Sequence, residues 1–363
     1  MSSGGAAEAG SAGAPRRPKL LSLKAPAKVN LGLRLMGRRA DGYHLLESLF
    51  APIALYDEIR LEAVAPGTAP GPSAEASGRV HLTLEVPPDA GLSGALGDVT
   101  AGPDNLVSRA AHAHLAATGF DADLEIHLVK RIPAGAGLGG GSSDAAAVLR
   151  GLQQMCPRPL GTEALHALAL ELGADVPFFL DPAPALVTGI GEELQRIPPL
   201  PALHLVLVNS GNSLATAEVY RAADALPSAL TEPSNGSTMR AISRLAGERA
   251  DLEPALGELL INDLEPAARR LCPPVARMSN RLRASGAIAV SMSGSGATVF
   301  GVFESEADAE RGAKRFAETF DAGVTEAASE SEETDGKTSQ GEERRGRQEA
   351  WVRVTEIISA NVM

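Results

Sequence analysis

The chain has 363 residues, 44% of them hydrophobic, which suits one large domain or two ordinary ones. Its formal net charge of −12 argues against a nucleic-acid-binding surface, and no apolar stretch has the roughly 20 residues of a membrane-spanning helix. The only two cysteines, Cys156 and Cys272, fall outside metal-binding spacings and fit a reducing compartment. We therefore expect a cytoplasmic protein that binds neither nucleic acid nor membrane.

The N-terminal part of the chain predicts a tail followed by strands. Residues 1–19 are rich in glycine, alanine and serine and lack the apolar core of a secretory signal, which predicts a disordered tail. Apolar and polar residues then alternate over 28–35, so a strand there carries Lys28, Asn30 and Arg34 on one face. The same period of two predicts strands over 57–64 and 80–86, with the Pro/Gly-rich loop 65–78 between them.

The next segment alternates helices with one further strand. In chain order, the pattern predicts a helix capped by Asp104 and ended by Gly119, a strand around 124–128, a glycine-rich loop, a helix over 142–155, and a helix over 163–172. We take residues 20–198 as an N-terminal nucleotide-binding domain.

After residue 198 the pattern restarts. It predicts a strand over 204–208, helices over 215–225, 239–246 and 267–284, strands over 287–292 and 298–303, a helix over 307–320, and a strand over 351–357. This order is typical of a ferredoxin-like layer, so the fold class predicted for the whole chain is α+β with a C-terminal domain over 199–363. Within it, residues 325–350 are rich in Glu, Ser, Lys and Arg and predict a disordered insertion.

The most informative segment is the glycine loop between the strand near 128 and the helix that follows. Glycines let a backbone wrap closely around a ligand, and a helix N-terminus offers free N–H groups and a positive dipole end. This combination predicts a polyphosphate site. The candidate ATP-binding residues are Pro133, Ala134, Gly135, Ala136, Gly137, Leu138, Gly139, Gly140, Gly141, Ser142 and Ser143.

Other readings of this loop are weaker. Gly135, Gly137 and Gly140 satisfy the dinucleotide-binding pattern, but a second helix follows where that fold needs a strand ending in an acidic residue. A Walker loop needs lysine where Gly141 stands. A purely structural turn needs fewer glycines than this loop has. Asp144 is acidic beside a phosphate site, so it should point away from the nucleotide or act at the helix N-terminus.

The loop resembles the second motif of the GHMP kinases, the family of galactose, homoserine, mevalonate and phosphomevalonate kinases. Further segments match, in order, the branch of that family that phosphorylates a cytidine-diphosphate-linked methylerythritol for non-mevalonate isoprenoid synthesis: 26–31, 41–44, 172–178, 217–221, 262–266 and 292–296. The resemblance covers about 25–303. It implies a two-domain architecture, with an N-terminal domain like ribosomal protein S5 and a ferredoxin-like C-terminal domain.

Two residues are the candidate catalytic groups. Taken alone, Lys28 reads as a solvated strand lysine, and Asp175 is equally well a turn residue or a buried functional acid. The resemblance implies that Asp175 accepts the proton of the acceptor hydroxyl. It also implies that Lys28 stabilises this carboxylate and the migrating phosphoryl group.

A second set is the candidate substrate-binding group: Asn30, Tyr43, His44 and Tyr220. Tyr43 and His44 follow an Asp-Gly turn and alone would suggest ordinary loop packing. The resemblance implies that the two tyrosines hold a cytosine ring and that His44 hydrogen-bonds its edge. Residues 293–296 read either as a phosphate-contacting turn or as a hairpin, and we favour a supporting role.

ATP phosphates imply Mg²⁺, but the sequence shows no carboxylate cluster for the metal, and Ser143 is a ligand only by analogy. Two alternatives remain open. One is another GHMP kinase of the homoserine or mevalonate type, and the other is a nucleotide-binding module without catalysis. Oligomeric state is not predicted.

Overall fold

The computed structural model describes residues 19–67, 79–92, 99–226, 237–245, 252–332 and 350–358. The described strands are β1 (Lys19–Arg38), β2 (His44–Val64), β3 (Val80–Glu85), β4 (Asp123–Val129), β5 (Ala185–Thr188), β6 (Glu193–Arg196), β7 (His204–Asn209), β8 (Ala289–Met292), β9 (Val299–Phe303) and β10 (Trp351–Glu356). The described helices are α1 (Leu106–Thr118), α2 (Gly140–Met155), α3 (Thr162–Leu172), α4 (Val176–Leu180), α5 (Thr216–Asp224), α6 (Ser237–Leu245), α7 (Leu252–Leu259), α8 (Glu265–Leu271), α9 (Pro274–Ala284) and α10 (Glu306–Glu332).

The first sheet has the order β3-β4-β2-β5-β6, and β1 pairs with β2 over most of its length. The predicted alternation in β1 is confirmed, since Val29 and Leu31 are fully buried on its apolar face. Its polar residues Lys28 and Asn30 are nevertheless only 4% and 2% exposed. Buried polar groups need partners, so this second face of β1 belongs to the protein interior rather than to solvent.

The second sheet has the order β10-β7-β9-β8, and all its neighbouring strands are antiparallel. Numbered from β7, this is the order 4-1-3-2 of a ferredoxin-like layer, and it confirms the predicted α+β class. The two sheets share a hydrophobic core, in which Val29 and Leu49 pack together with Leu205, Phe300 and other buried residues. The second sheet is thereby fixed against the strand that carries Lys28.

Four predictions about elements were wrong. The cap of α1 is Asn105, whose side chain accepts a hydrogen bond from the Val107 N–H at 2.9 Å, and not Asp104. The single helix predicted over 267–284 is two helices, α8 and α9, because the Pro273-Pro274 pair interrupts it. Helix α10 continues to Glu332, so residues 325–332 are helical where disorder was predicted. Lys19 already belongs to β1 rather than to the predicted tail.

The rest of these two segments, 1–18 and 333–349, lies outside the described residues, as does 68–78 of the predicted Pro/Gly-rich loop. The boundary predicted at 198 remains a prediction, and it falls between β6 and β7. Within the described parts of the chain, no helix is long and apolar enough to cross a membrane.

Candidate active site

The glycine loop leads directly into α2, and this helix start has no side-chain cap. Gly139 is the N-cap residue with φ 70°, and the first helical hydrogen bond runs from the Ser143 N–H to the Gly139 carbonyl at 2.9 Å. The N–H groups of Gly140, Gly141 and Ser142 therefore have no acceptor within the helix. A helix N-terminus in this state is an anion site, as the sequence predicted.

Several glycines of the loop are required because neighbouring protein atoms leave no room for a side chain. A Cβ at Gly137 would lie 2.2 Å from the Ser293 carbonyl oxygen, and one at Gly139 would lie 2.8 Å from the Phe179 ring. Both residues have positive φ, which disfavours any side chain. A Cβ at Gly141, in contrast, meets only the Leu106 side chain at 3.5 Å. Gly141 is thus the glycine whose side-chain space is open towards the cavity.

We call the glycine loop and the start of α2, residues 133–143, the phosphate cradle. A buried charge cluster of Asp57, Lys130 and Asp144 lies beneath this cradle. The Lys130 ammonium donates to Asp57 and, at 2.8 Å, to Asp144 Oδ2. Asp57 Oδ1 also accepts the backbone N–H groups of Arg131 and Ile132 at 2.5 and 2.9 Å. The cluster joins the residue after β4 to the N-terminal part of α2 and thereby connects both ends of the glycine loop. Asp144 accordingly points away from the cradle, as expected.

Burial shifts the ionisation of this cluster. Removal from water raises the pKa of Asp144 to about 8, and the Asp57 charge adds to that rise while Lys130 opposes it. The pKa of Lys130 is raised as well, because the two carboxylates outweigh the effect of its burial. Lys130 therefore stays charged, and the proton of the cluster that is most easily exchanged near neutral pH belongs to Asp144.

The cradle opens into a cavity of about 920 Å³ between the two domains. Most of the predicted site residues line it: Lys28, Asn30, Tyr43, His44, Pro133, Ala134, Gly135, Ala136, Gly137, Gly139, Gly140, Gly141, Ser142, Asp175 and Tyr220. Two predicted residues do not. Leu138 is part of the hydrophobic core, and Ser143 is buried beneath the surface of α2.

Lys28 and Asp175 meet on one wall of this cavity. The Lys28 ammonium lies 3.7 Å from Asp175 Oδ2 and 4.5 Å from the centre of the Phe50 ring. Burial lowers the pKa of Lys28, and the Asp175 charge partly opposes that shift. Asp175 precedes α4 without capping it, so its carboxylate, 32% exposed, remains available to a ligand.

Asn30 holds Lys28 from the opposite side. Its Oδ1 accepts from the Lys28 ammonium at 2.5 Å, and its Nδ2 donates to the Ser48 hydroxyl at 2.9 Å. The Ser48 hydroxyl in turn donates to the Gly32 carbonyl at 2.7 Å. The side chain predicted to bind substrate is therefore engaged with the protein on both of its polar atoms, and its clear role in this geometry is to orient the lysine.

The far end of the cavity is aromatic. The His44 and Tyr220 rings lie 5.0 Å apart, while Tyr43 is 61% exposed at the cavity mouth. Burial and the Asp175 charge raise the pKa of Tyr220 to about 12, so its phenol stays neutral. Sequence reasoning missed Asp224, which accepts a hydrogen bond from His44 Nε2 at 2.7 Å. Its signal was the i, i+4 spacing from Tyr220 on one helix face.

The loop 293–296 supports the cradle. The Ser293 hydroxyl donates to the Gly137 carbonyl at 2.9 Å, and Asn262 Nδ2 donates to the carbonyls of Met292 and Gly294 at 2.8 and 2.9 Å. These bonds brace the glycine loop from the second domain, in agreement with the supporting role that we favoured.

The site offers little for a dedicated metal cage. Among the residues that the structure describes, no group of three or more His, Cys, Asp or Glu side chains could hold an ion. The Ser143 hydroxyl is buried and has no hydrogen-bond partner. Mg²⁺ often keeps its waters and binds through substrate phosphates with few protein ligands, so these residues fit an ion that arrives with a nucleotide.

Comparison with known proteins agrees with this geometry. The family model of the GHMP kinases N terminal domain matches residues 105–181, and that of GHMP kinases C terminal matches residues 238–322. The 4-diphosphocytidyl-2-C-methyl-D-erythritol kinase of Geobacter metallireducens is 40% identical over 81% of this chain and 93% of its own. The enzyme of the same name from Rhizobium johnstonii is 43% identical over 79% of this chain and 85% of its own.

Solved structures extend the comparison. A crystal structure of 4-(cytidine 5'-diphospho)-2C-methyl-D-erythritol kinase superposes with a TM-score of 0.66 at 34% identity, covering 93% of this chain and all of that one. Homoserine kinase from Cytophaga hutchinsonii, at 19% identity and a TM-score of 0.61 over 93% of this chain and 95% of its own, shares the fold. The two domains and the glycine cradle define an ATP-dependent small-molecule kinase of the GHMP type. Within that class, the chain belongs to the family of 4-diphosphocytidyl-2-C-methyl-D-erythritol kinases.

Proposed function

We propose that this kinase transfers the γ-phosphate of ATP to the 2-hydroxyl of 4-diphosphocytidyl-2-C-methyl-D-erythritol, a step of non-mevalonate isoprenoid precursor synthesis. The observation that carries the proposal is one cavity that joins a phosphate cradle, the Lys28–Asp175 pair and an aromatic end with His44. These are the three parts that a phosphoryl transfer between ATP and a nucleotide-bearing alcohol requires.

ATP would place its phosphates at the N-terminus of α2. The free N–H groups of Gly140, Gly141 and Ser142 and the positive end of the helix dipole favour negative charge there. Mg²⁺, when bound with the nucleotide, supplies charge neutralisation of the phosphates. Ser142 lines the cavity at this helix start, whereas Ser143, the ligand considered by analogy, is buried and does not line it.

The acceptor would place its cytosine at the aromatic end, between Tyr43 and Tyr220. An amphipathic aromatic ring at the exposed mouth gives a flat surface for a base, and base–aromatic stacking is worth about 1–3 kcal/mol per base. The Tyr43 ring is exposed, so a base that covers it would bury apolar surface. The binding energy of this remote group then orients the hydroxyl that reacts.

The chemistry follows from the Lys28–Asp175 pair. Asp175 accepts the proton of the 2-hydroxyl as that oxygen attacks the γ-phosphorus, and the bond from the γ-phosphorus to the β–γ bridging oxygen breaks to release ADP. Lys28, held by Asn30, stabilises the negative charge that builds on the phosphoryl oxygens. Because Lys28 is buried, water screens its positive charge less, and the attraction between its ammonium and the phosphoryl oxygens is stronger in this medium of low dielectric constant.

Homoserine or mevalonate kinase activity is the weaker alternative. Those relatives share the fold at 19% identity or less, whereas the cytidylated-substrate kinases reach 43%. Two buried free cysteines support the proposed cytoplasmic location.

Product analysis tests the proposal. ATP, Mg²⁺ and the cytidylated acceptor are incubated with the protein, and the product is examined by ³¹P and ¹³C NMR. The expected result is a new phosphomonoester coupled to carbon 2 of the erythritol. A phosphate on another hydroxyl, or an unchanged acceptor, would contradict the assignment.

A further inference from the structure

Asp224 connects the two domains at the aromatic end of the cavity. It is the last residue of α5, one turn beyond Tyr220, and its Oδ1 lies 2.7 Å from His44 Nε2. Its second oxygen, Oδ2, lies 3.6 Å from the Arg38 guanidinium. His44 and Arg38 are paired neighbours on β2 and β1, so one carboxylate from the second domain contacts both.

This contact restricts the protonation of His44. The His44 side chain is only 9% exposed, so its ring is held in place rather than free to rotate in solvent. A neutral imidazole has one N–H donor and one acceptor nitrogen, and a carboxylate can only accept. A proton on Nε2 is therefore required for the bond to Asp224, and in a neutral ring Nδ1 is left as the acceptor.

The consequence concerns which base the cavity accepts. Cytosine carries an exocyclic amine that donates, where uracil carries a carbonyl oxygen that accepts. An acceptor nitrogen on His44 can pair with the amine but faces the uracil oxygen without a proton between them. Two acceptor atoms that face each other in a buried site, with no hydrogen between them, are strongly disfavoured.

We propose that Asp224 is a positioning residue that holds the proton of His44 on Nε2, so that Nδ1 selects an acceptor whose base has an exocyclic amine over a uridine analogue. The inference rests on the proposed function, since it assumes that a nucleotide base of the acceptor occupies this end of the cavity. Asp224 lies outside the sequence motifs, and His44 Nδ1 is the atom that distinguishes the two bases.

Two measurements test the role of Asp224. The first is ¹⁵N NMR of His44 in the free protein, assigned with His44→Gln, which reports directly which ring nitrogen carries the proton. The second is competition of CDP and of UDP against the acceptor, in the wild type and in Asp224→Asn. Asparagine is matched in size, but its amide can donate to Nε2 and so permit a proton on Nδ1. Glu218→Gln removes the same charge from an exposed position of the same helix and is the control.

The expected outcome is a neutral His44 with its proton on Nε2 and a preference of the wild type for CDP over UDP of about tenfold or more. Asp224→Asn should bring that ratio close to one without changing the KM for ATP, and Glu218→Gln should leave it as in the wild type. A proton on Nδ1 or on both nitrogens in the wild type would overturn the proposal, and so would an unchanged ratio in Asp224→Asn. If neither nucleotide competes with the acceptor, the proposed function fails instead, while the NMR result on the free protein still decides the role of Asp224.

Discussion

The Lys28 ammonium lies 3.7 Å from the Asp175 carboxylate, although one residue stands on the first strand and the other just before α4. We expect Lys28→Met and Asp175→Asn each to lower kcat by roughly 100-fold or more, the scale of losing a general base or a charge that stabilises the transition state. The KM for ATP should change much less. Steady-state kinetics measures both, and near-normal turnover of Asp175→Asn would show that another group accepts the proton.

Asn30 gives a related prediction about orientation. Asn30→Ala removes the oxygen that accepts a hydrogen bond from the Lys28 ammonium at 2.5 Å, and it also removes the amide that donates to the Ser48 hydroxyl. We expect kcat to fall by about tenfold or more while the KM for the acceptor changes little, because the lysine is retained but misplaced. Asn30→Asp, which keeps an acceptor, should recover part of kcat. A large rise in the KM for the acceptor instead would mean that Asn30 binds substrate directly.

Substitutions at two glycines of the cradle should affect the stability of the protein and its affinity for ATP to different extents. Gly139→Val would drive a side chain into the Phe179 ring from a backbone with positive φ, so we expect a lower Tm as well as lost activity. Gly141→Val has room against the protein and exposes its side chain towards the phosphate site. It should weaken ATP binding by about tenfold or more and lower Tm by only a few degrees. Calorimetry and thermal unfolding measure the two effects, and an unchanged ATP affinity in Gly141→Val would contradict the cradle assignment.

The buried cluster beneath the cradle predicts a pH dependence of stability. The folded protein holds the Asp144 proton up to a pKa of about 8, whereas the ordinary value is 3.8. The stabilisation that comes from this proton is therefore complete below pH 3.8 and is lost as the pH rises towards 8. We expect the Tm of the wild type to fall between about pH 4 and 8, and Asp144→Asn to remove part of that fall.

The control for this measurement is Asp121→Asn, which changes an exposed carboxylate. Its Tm should follow the pH dependence of the wild type. Equal slopes for the wild type and Asp144→Asn would show that Asp144 is ionised throughout that range, in conflict with the effect of its burial.

Tyr43 tests the aromatic end of the cavity. Because stacking on a base contributes about 1–3 kcal/mol, Tyr43→Ala should raise the KM for the acceptor by roughly tenfold or more and leave the KM for ATP nearly fixed. Tyr56→Ala, a tyrosine of β2 that does not line the cavity, is the control. If both variants change the KM for the acceptor equally, the effect is one of stability and not of stacking.

Local patterns in the sequence predicted much of the fold. The alternation in β1 and the glycine stop of α1 at Gly119 are properties of neighbouring residues, and both are observed. The first half of β2 was missed because both of its faces are largely buried, so no alternation marks it. Strands β5 and β6 have four residues each, too few to show a period.

The candidate site was predicted where a motif carries it and missed where tertiary contacts create it. The cradle and the catalytic pair lie within recognisable segments. Asp224 meets His44, and Asp57 meets Lys130, only because distant elements pack together. Nothing in the local sequence of Asp57 distinguishes it from a strand-surface carboxylate.

The most direct test of the central claim is a coupled ADP-release assay that compares acceptors under one set of conditions. The acceptors are 4-diphosphocytidyl-2-C-methyl-D-erythritol, methylerythritol without its cytidine diphosphate, homoserine and mevalonate. We predict that kcat/KM is highest for the cytidylated acceptor, by about 100-fold or more, because only that molecule carries both a hydroxyl for the Lys28–Asp175 pair and a base for the aromatic end of the cavity. Faster ADP release with homoserine or mevalonate would contradict the assignment of the acceptor.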